Sequence, residues 1–313
     1  MAPDALRKHE KYDALIRACE ALAPVKTAVA HPCDEISLSA AVAAAQARLI
    51  EPLLVGPQGR IRTLAATLGL DLSPWRLVDV PHSHAAAEKA VALVRAGEAD
   101  VLMKGSLHTD EMMAEVVREA TGLRTGKRMS HVFIMDVPTY PKALFITDGA
   151  VNIFPSLEDK VEIVQNAVHL AHALGVGVPK VAILSALETI TSKLRSTIDA
   201  AALCKMAERG QITGAILDGP LAFDNAINRD AATVKHITSP VAGDADILVV
   251  PDLEAGNLLA KELSFLANAD AAGIVLGARV PIVLTSRADS LRVHMASCAV
   301  AVLYQAHASS SLG

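Results

Sequence analysis

The chain has 313 residues and a formal net charge of −5, with 52% apolar and only 3% aromatic side chains. That length admits one large domain or two, and the acidic balance excludes a nucleic-acid surface built on bulk positive charge. Four cysteines (Cys19, Cys33, Cys204 and Cys298) stand far apart with no CxxC pair and no metal-type spacing. A reducing compartment is therefore expected rather than a disulfide scaffold.

The first segment, MAPDALRKHEKYDALIRACE, reads as a charged amphipathic helix without the apolar stretch of a signal peptide. Short apolar runs then alternate with helical patterns. Strands are expected at KTAVAH from Lys26, EPLLVG from Glu51, WRLVDV from Trp75 and ADVLMKG from Ala99. A second series follows at HVFIMDV from His131, KALFITDG from Lys142, KVAILSA from Lys180 and ITGAILDGP from Ile212. ADILVVPD from Ala245, AGIVLGA from Ala272 and VPIVLTS from Val280 complete the set. Several runs are apolar throughout, as strands buried on both faces require.

Between them, HAAAEKAVALVRAG from His84 and LEDKVEIVQNAVHLAHALG from Leu157 have helical spacing. The second opens with Ser156 and Asp159 as a capping box and closes on Gly175. A mostly parallel, doubly wound α/β fold follows, with Pro138–Pro141 as a weak boundary candidate. Residues 295–313 carry no Asp, Glu, Lys or Arg, but Gln305, His307 and three consecutive serines point to a packed terminal helix rather than a membrane span. The expected location is the cytoplasm, with no membrane partner.

In such folds ligands gather where strands end, and five strand ends here are polar. In PIVLTSRADSLRVHMA, from Pro281, Ser286 and Arg287 follow a strand ending at Thr285, and Asp289 and Ser290 open a helix. In ADVLMKGSLHTDEMM, Lys104 and Gly105 end a strand, and His108 and Thr109 precede a helix whose N–H groups suit a phosphate. ALFITDGAVNIFP places Asp148 and Asn152 on a turn tightened by Gly149. AILDGPLAFDNAI gives Asp218, Gly219 and Asp224, and ILVVPDLEAGN gives Asp252, Glu254, Gly256 and Asn257. Each alone is explained by turn-making or helix capping; five together point to a wide binding site. The loop TGLRTGKRMSH adds Arg124, Lys127 and Arg128 ahead of Ser130 and His131, cations that serve either as a solvated turn or as holders of an anionic ligand. It is not a Walker motif, and no G-x-G-x-x-G occurs anywhere.

Taken in order, KGSLHTDEMMAEVV, SHVFIMDVP, ITDGAVNIFPSLEDKVEIVQNAV, LDGPLAFDNAI, VPDLEAGNLLAKEL and PIVLTSRADS resemble the phosphate acetyltransferase/phosphate butyryltransferase family. The resemblance runs from about Ala99 to the C-terminal helix and is weak before that. It implies reversible acyl transfer, acyl-CoA plus phosphate giving acyl phosphate plus CoA, with no permanently bound cofactor and usually a homodimer. It also implies two doubly wound α/β domains with a cleft between them, resembling the isocitrate/isopropylmalate dehydrogenase-like fold. Residues 134–276 would then be inserted in a first domain of residues 1–133 and 277–313.

By that likeness Ser286 and Arg287 match the pair that binds phosphate or the acyl-phosphate group. Lys104, Gly105 and Thr109 fall on a motif facing the same site, as do Asp218 with Gly219 and Gly256 with Asn257. Two departures stand out. Acetyl-type members resemble one another in an aspartate six residues after the arginine, where this chain has Val293, whereas Asp289 follows Arg287 by two as in butyryl-type members. Acetyl-type members also tend to have cysteine where this chain has Gly149. Both lean to the butyryl-type branch.

The chemistry agrees with this reading. A thiol with a pKa of about 8.5 is only a few per cent thiolate at pH 7, so a carboxylate whose own pKa burial has raised serves as its base. Asp289 is the first choice. Arg287 offers paired N–H groups to an acyl phosphate, and a donor near Ser286 serves the oxyanion. Cys204 and Cys298 lie in Ala-rich helical surroundings, which favours direct transfer over a covalent intermediate. Two other classes fit less well: a non-catalytic acyl-CoA or acyl-phosphate binding module, and an NAD-dependent decarboxylating dehydrogenase using Asp244, Asp246 and Asp252 for a metal.

Overall fold

The computed structural model describes residues 10–286 and 289–310. The chain divides into two compact units, a terminal unit of Tyr12–Lys127 and Ala272–Gly313 and a middle unit of Met1–Lys11 and Arg128–Ala271.

The chain begins with α1 (Glu10–Cys19), β1 (Val25–Ala30), α2 (Glu35–Gln46), β2 (Ile50–Gly56), α3 (Gln58–Leu68), β3 (Arg76–Asp79), α4 (Ser83–Arg95), β4 (Val101–Lys104) and α5 (Thr109–Val117). The middle unit follows with β5 (Ser130–Asp136), β6 (Leu144–Thr147), α6 (Leu157–Ala173), β7 (Lys180–Leu184), α7 (Arg195–Glu208), β8 (Ile216–Leu221), α8 (Phe223–Ile227), α9 (Arg229–Val234), β9 (Ile247–Val249) and α10 (Leu253–Phe265). The chain returns through β10 (Asp270–Leu276) to β11 (Ile282–Val283) and α11 (Leu291–Ser310).

Strands of the terminal unit run in the order β3-β2-β1-β4-β11-β10. Its neighbours are parallel except β10 with β11, where Ile274 faces Val283. Each crossover from β1 to β2 to β3 steps one way, and β4 then adds on the other side of β1. The carboxyl ends of β1 and β4 therefore flank a topological switch point, the place where α/β sheets bind ligands. The middle unit runs β5-β6-β9-β7-β8, parallel except for the β5–β6 hairpin. Pro138–Pro141 lies in the turn of that hairpin, inside the middle unit.

Alanine explains the close packing of the terminal unit. Ala40, Ala41 and Ala44 on α2, Ala86, Ala87 and Ala90 on α4, and Ala299 and Ala301 on α11 are all fully or almost fully buried, and residues this small let helices lie close to a sheet. The middle unit is packed with larger groups, including Met135, Leu144, Ile146, Leu184 and Leu248. The capping box forms as expected: Ser156 Oγ accepts from Asp159 N, and the Asp159 carboxylate accepts from Ser156 N. Gly175 follows α6 at φ +87°, a conformation glycine adopts without strain. Among the described residues no helix is long and apolar enough to cross a membrane.

Candidate active site

The strand ends of the terminal unit bring several chemical groups together. At the end of β4, Lys104 is buried at 3% exposure, and its ammonium donates to Gly105 O and Leu107 O. Gly105 has to be glycine: a Cβ there would lie 2.4 Å from Ala30 O and 2.6 Å from His31 O, both backbone atoms. That close approach pins the end of β4 to the end of β1, where Gly105 N donates to Ala30 O and Ser106 N to His31 O.

His31 was not singled out in the sequence, yet it has φ +56° and lies at the switch point, with Nδ1 3.0 Å from Ser106 Oγ. Histidine enters this left-handed region more readily than most residues, and Arg48, His236 and Asn268 share it. His31, Ser106, Asp34, Arg60, Ser83 and His108 line a polar cavity of about 370 Å³ there. His108 and Thr109 are exposed at the start of α5. At that helix start the Glu111 carboxylate accepts from His108 N at 3.0 Å.

Beyond β11, Thr285 is buried and Ser286 exposed. Arg287, the expected anion holder, lies outside the described residues. Asp289 is half-buried; its Oδ2 accepts from Ser286 N at 2.6 Å, and its own N–H donates to Ser286 O. Burial pushes the Asp289 carboxyl above the ordinary aspartate value, against opposing pulls from the Ser286 N–H and the Lys104 ammonium. A carboxylate in that state accepts a proton more readily than a solvated one. His294, one turn into α11, is also missed by sequence: it is 3% exposed and its Nδ1 lies 3.0 Å from Thr285 Oγ1. Burial, helped by Lys104 and opposed by Asp34, lowers its pKa to about 4. Arg124 is exposed and pairs by backbone with Ala278 in the same unit.

The middle unit assembles a second group. Arg128 Nε donates to Asn152 Oδ1 at 2.7 Å, and Arg128 pairs with Asp159 at 3.3 Å. Asn152 Nδ2 donates to Asp148 Oδ2 at 2.5 Å. Asp148 also accepts the N–H groups of Ala150, Val151 and Asn152, so it builds the turn. Asn257 Nδ2 donates to Gly149 O at 3.3 Å, and a Cβ on Gly256 would meet Asp148 O at 2.6 Å, so α10 abuts that turn. A Cβ on Gly149 would lie 2.6 Å from the Phe133 ring, so cysteine there requires Phe133 to shift. Ser130 is fully buried, and its Oγ accepts from Asn166 Nδ2. Asp218 and Gly219 stand apart from this group on β8. Asp218 Oδ1 accepts from Gly219 N, and Gly219 presses on Ile183 O, 2.7 Å from where a Cβ would be.

The cysteines and the acidic residues Asp244, Asp246 and Asp252 have other surroundings. Burial pushes the Cys19 thiol up to about 11 and the Cys204 and Cys298 thiols up to about 12, which disarms them as nucleophiles. Asp244 and Asp246 are held by Lys142, and Asp252 caps α10 by accepting from Ala255 N. Among the described residues no His, Cys, Asp or Glu group is arranged to hold a metal.

The Asp289 carboxyl, raised by burial, and the buried Lys104 ammonium thus act on each other at strand ends of the terminal unit. Residues 83–302 match a family described as phosphate acetyl/butaryl transferase. A protein of Rhizobium meliloti named phosphate acetyltransferase is 67% identical over 95% of this chain and 94% of its own length. A Clostridium beijerinckii protein named phosphate butyryltransferase is 41% identical over 95% of this chain and 98% of its own. The crystal structure of a branched-chain phosphotransacylase from Enterococcus faecalis V583 has 31% identity and a TM-score of 0.78, covering 90% of this chain and 98% of that one. The chain belongs to the phosphate acetyl/butyryl transferase family, and it is an acyltransferase.

Proposed function

We propose that the enzyme catalyses reversible transfer of a short acyl group between CoA and inorganic phosphate within a ternary complex. The observation that carries the mechanism is Asp289, a half-buried carboxyl raised by burial, bonded to Ser286 N and acted on by Lys104. Asp289 takes the proton of the CoA thiol as sulfur attacks the acyl carbonyl. A C–S bond forms, the acyl C–O bond to phosphorus breaks, and phosphate leaves. Arg287 and Ser286 hold the acyl phosphate and its oxyanion, with Lys104 supplying positive charge behind them. The disarmed cysteines support direct transfer.

Acetyl is the preferred acyl group: the 67% identity to a protein named phosphate acetyltransferase outweighs the lean of Val293 and Gly149 towards the butyryl type. Residues 134–276 act as the inserted domain, a reading supported by divisions of the chain after Lys127 and Ala271, and the isocitrate/isopropylmalate dehydrogenase-like fold belongs to the same proposal. Lys104, Gly105, His108, Thr109 and Arg124 serve the substrate from the terminal unit. On their sequence pattern alone, Arg128, Ser130, Asp148, Asn152, Asp218, Gly219 and Asn257 are proposed as substrate-binding residues. A homodimer belongs to the same proposal through the family resemblance, and four free cysteines support a cytoplasmic location.

Thioester formation from CoA with acetyl, propionyl and butyryl phosphate, followed by absorbance, tests the reading. Acetyl phosphate should give the highest kcat/KM. Faster reaction with butyryl phosphate overturns the acyl assignment, and no reaction with any of the three overturns the function.

A further inference from the structure

The segment between β11 and α11 has to hold Ser286 and Asp289 steady with little sheet to help, because β11 ends at Val283. Leu284 N reaches Gly273 O only at 3.4 Å. Across this segment His294 Nδ1 meets Thr285 Oγ1 at 3.0 Å, joining the residue before Ser286 to the body of a 20-residue helix. Both side chains are more than nine-tenths buried.

Packing alone does not explain a histidine at this position. Its Nε2 is buried and has no hydrogen-bond partner among the described residues. A buried polar atom without a partner costs free energy that leucine or methionine would not. The groups acting on the ring are Lys104 from β4 and Asp34 from the N-terminus of α2. Burial, helped by the Lys104 ammonium, keeps the imidazole neutral, so it is a directional hydrogen-bonding group rather than a second cation.

We propose that His294 is a positioning residue for acyl transfer, fixing through Thr285 the backbone that sets Ser286 against Asp289. The kinetic half of this rests on the acyl-transfer reading; the geometric half does not. Buried at 3% exposure, His294 acts through the Ser286 N–H to Asp289 Oδ2 bond at 2.6 Å.

The test compares His294→Leu, Thr285→Val, their double variant and Thr285→Ser, which keeps the hydroxyl. His294→Leu and Thr285→Val should each lower kcat about tenfold, with KM for CoA within about twofold of wild type. The double variant should be no slower than the poorer single one, and Thr285→Ser should recover most of the rate. Amide exchange at Ser286 should quicken about tenfold in His294→Leu as its closed turn loosens. If His294→Leu does not fold, the Thr285→Val and Thr285→Ser pair carries the same comparison. A folded variant that loses Tm but keeps wild-type kcat and Ser286 exchange shows a packing role only and overturns the proposal. If wild type turns over no acyl phosphate, the functional reading falls. Ser286 exchange then decides the proposal, and unchanged exchange overturns it.

Discussion

Asp148 and Asp289 occupy the same kind of position, a strand end leading into a helix, in two different units of one chain. Asp148 is 3% exposed, and its two oxygens receive Ala150 N, Val151 N, Asn152 N and Asn152 Nδ2. Asp289 receives Ser286 N and is raised by burial. Four donors make Asp148 a structural clasp that closes its turn. Burial raises the Asp289 carboxyl, which suits it to the base role proposed for it. The same residue type at comparable strand ends is thus proposed for different work, one closing a turn and the other accepting a proton.

The comparison breaks most sharply at Arg287, the residue proposed to hold the anion beside Asp289. Arg287→Ala should lower kcat by about 10²–10³, the range for losing a donor to a developing oxyanion, with the melting temperature unchanged. Arg287→Lys should also be slow, because an ammonium lacks the planar fork. Either variant retaining more than about a tenth of wild-type activity removes the arginine from the mechanism. Asp289→Asn comes next, with an expected loss of about 10²-fold and an intact fold. The sign of the pH effect follows from the raised carboxyl: in wild type kcat should fall on the acid side at a pH above the ordinary aspartate value of about 3.9, as Asp289 gains its proton. The amide should abolish that acid limb. A wild-type limb at or below the ordinary value would mean that Asp289 is not the base.

The sequence made the strands legible because burial on both faces leaves an unbroken apolar run. Each of the runs read as a strand became one, from β1 at Val25–Ala30 to β11. β11 is shorter than its run, VPIVLTS: only Ile282 and Val283 pair, since the chain bends away towards Ser286. Antiparallel pairing was not legible, because apolar runs carry no direction. Polar strand ends such as Lys104, Asp148 and Asn257 stood out against apolar surroundings. His31 and His294 did not: a single histidine in AVAHPC or RVHMAS has no periodicity to mark it. Only its backbone φ at His31, or its partner nine residues back at His294, gives it away. Donor counts around Asp148 and Asp289 were equally hidden, because they depend on how each turn closes.

Asp148→Asn tests the other side of the comparison. The asparagine amide would place N–H groups against at least one of the donors that Asp148 now receives, leaving buried donors opposed. The expected cost is roughly 1–3 kcal/mol in chemical denaturation, with kcat per folded molecule reduced far less than in Asp289→Asn. A rate loss matching Asp289→Asn without loss of stability would erase the distinction between clasp and base.

The smallest effect belongs to the ion network of the middle unit. Asp244 meets Lys142 at 2.9 Å, Lys180 at 2.5 Å and Arg229 at 3.7 Å. Burial pushes its carboxyl up, but hydrogen bonds from Lys180 and Lys142 outweigh that and hold it below the usual aspartate range. At 31% side-chain exposure the network is partly screened, so Asp244→Asn should cost under about 1 kcal/mol at pH 7. A depressed carboxyl stabilises the fold above its unfolded pKa of about 3.9 and loses that contribution as pH falls through the folded value. Wild type should therefore lose more melting temperature between neutral pH and pH 3 than Asp244→Asn does, and 1 M salt should narrow the gap at neutral pH. Equal acid sensitivity in the two proteins would mean that the lysines hold Asp244 no better than water does.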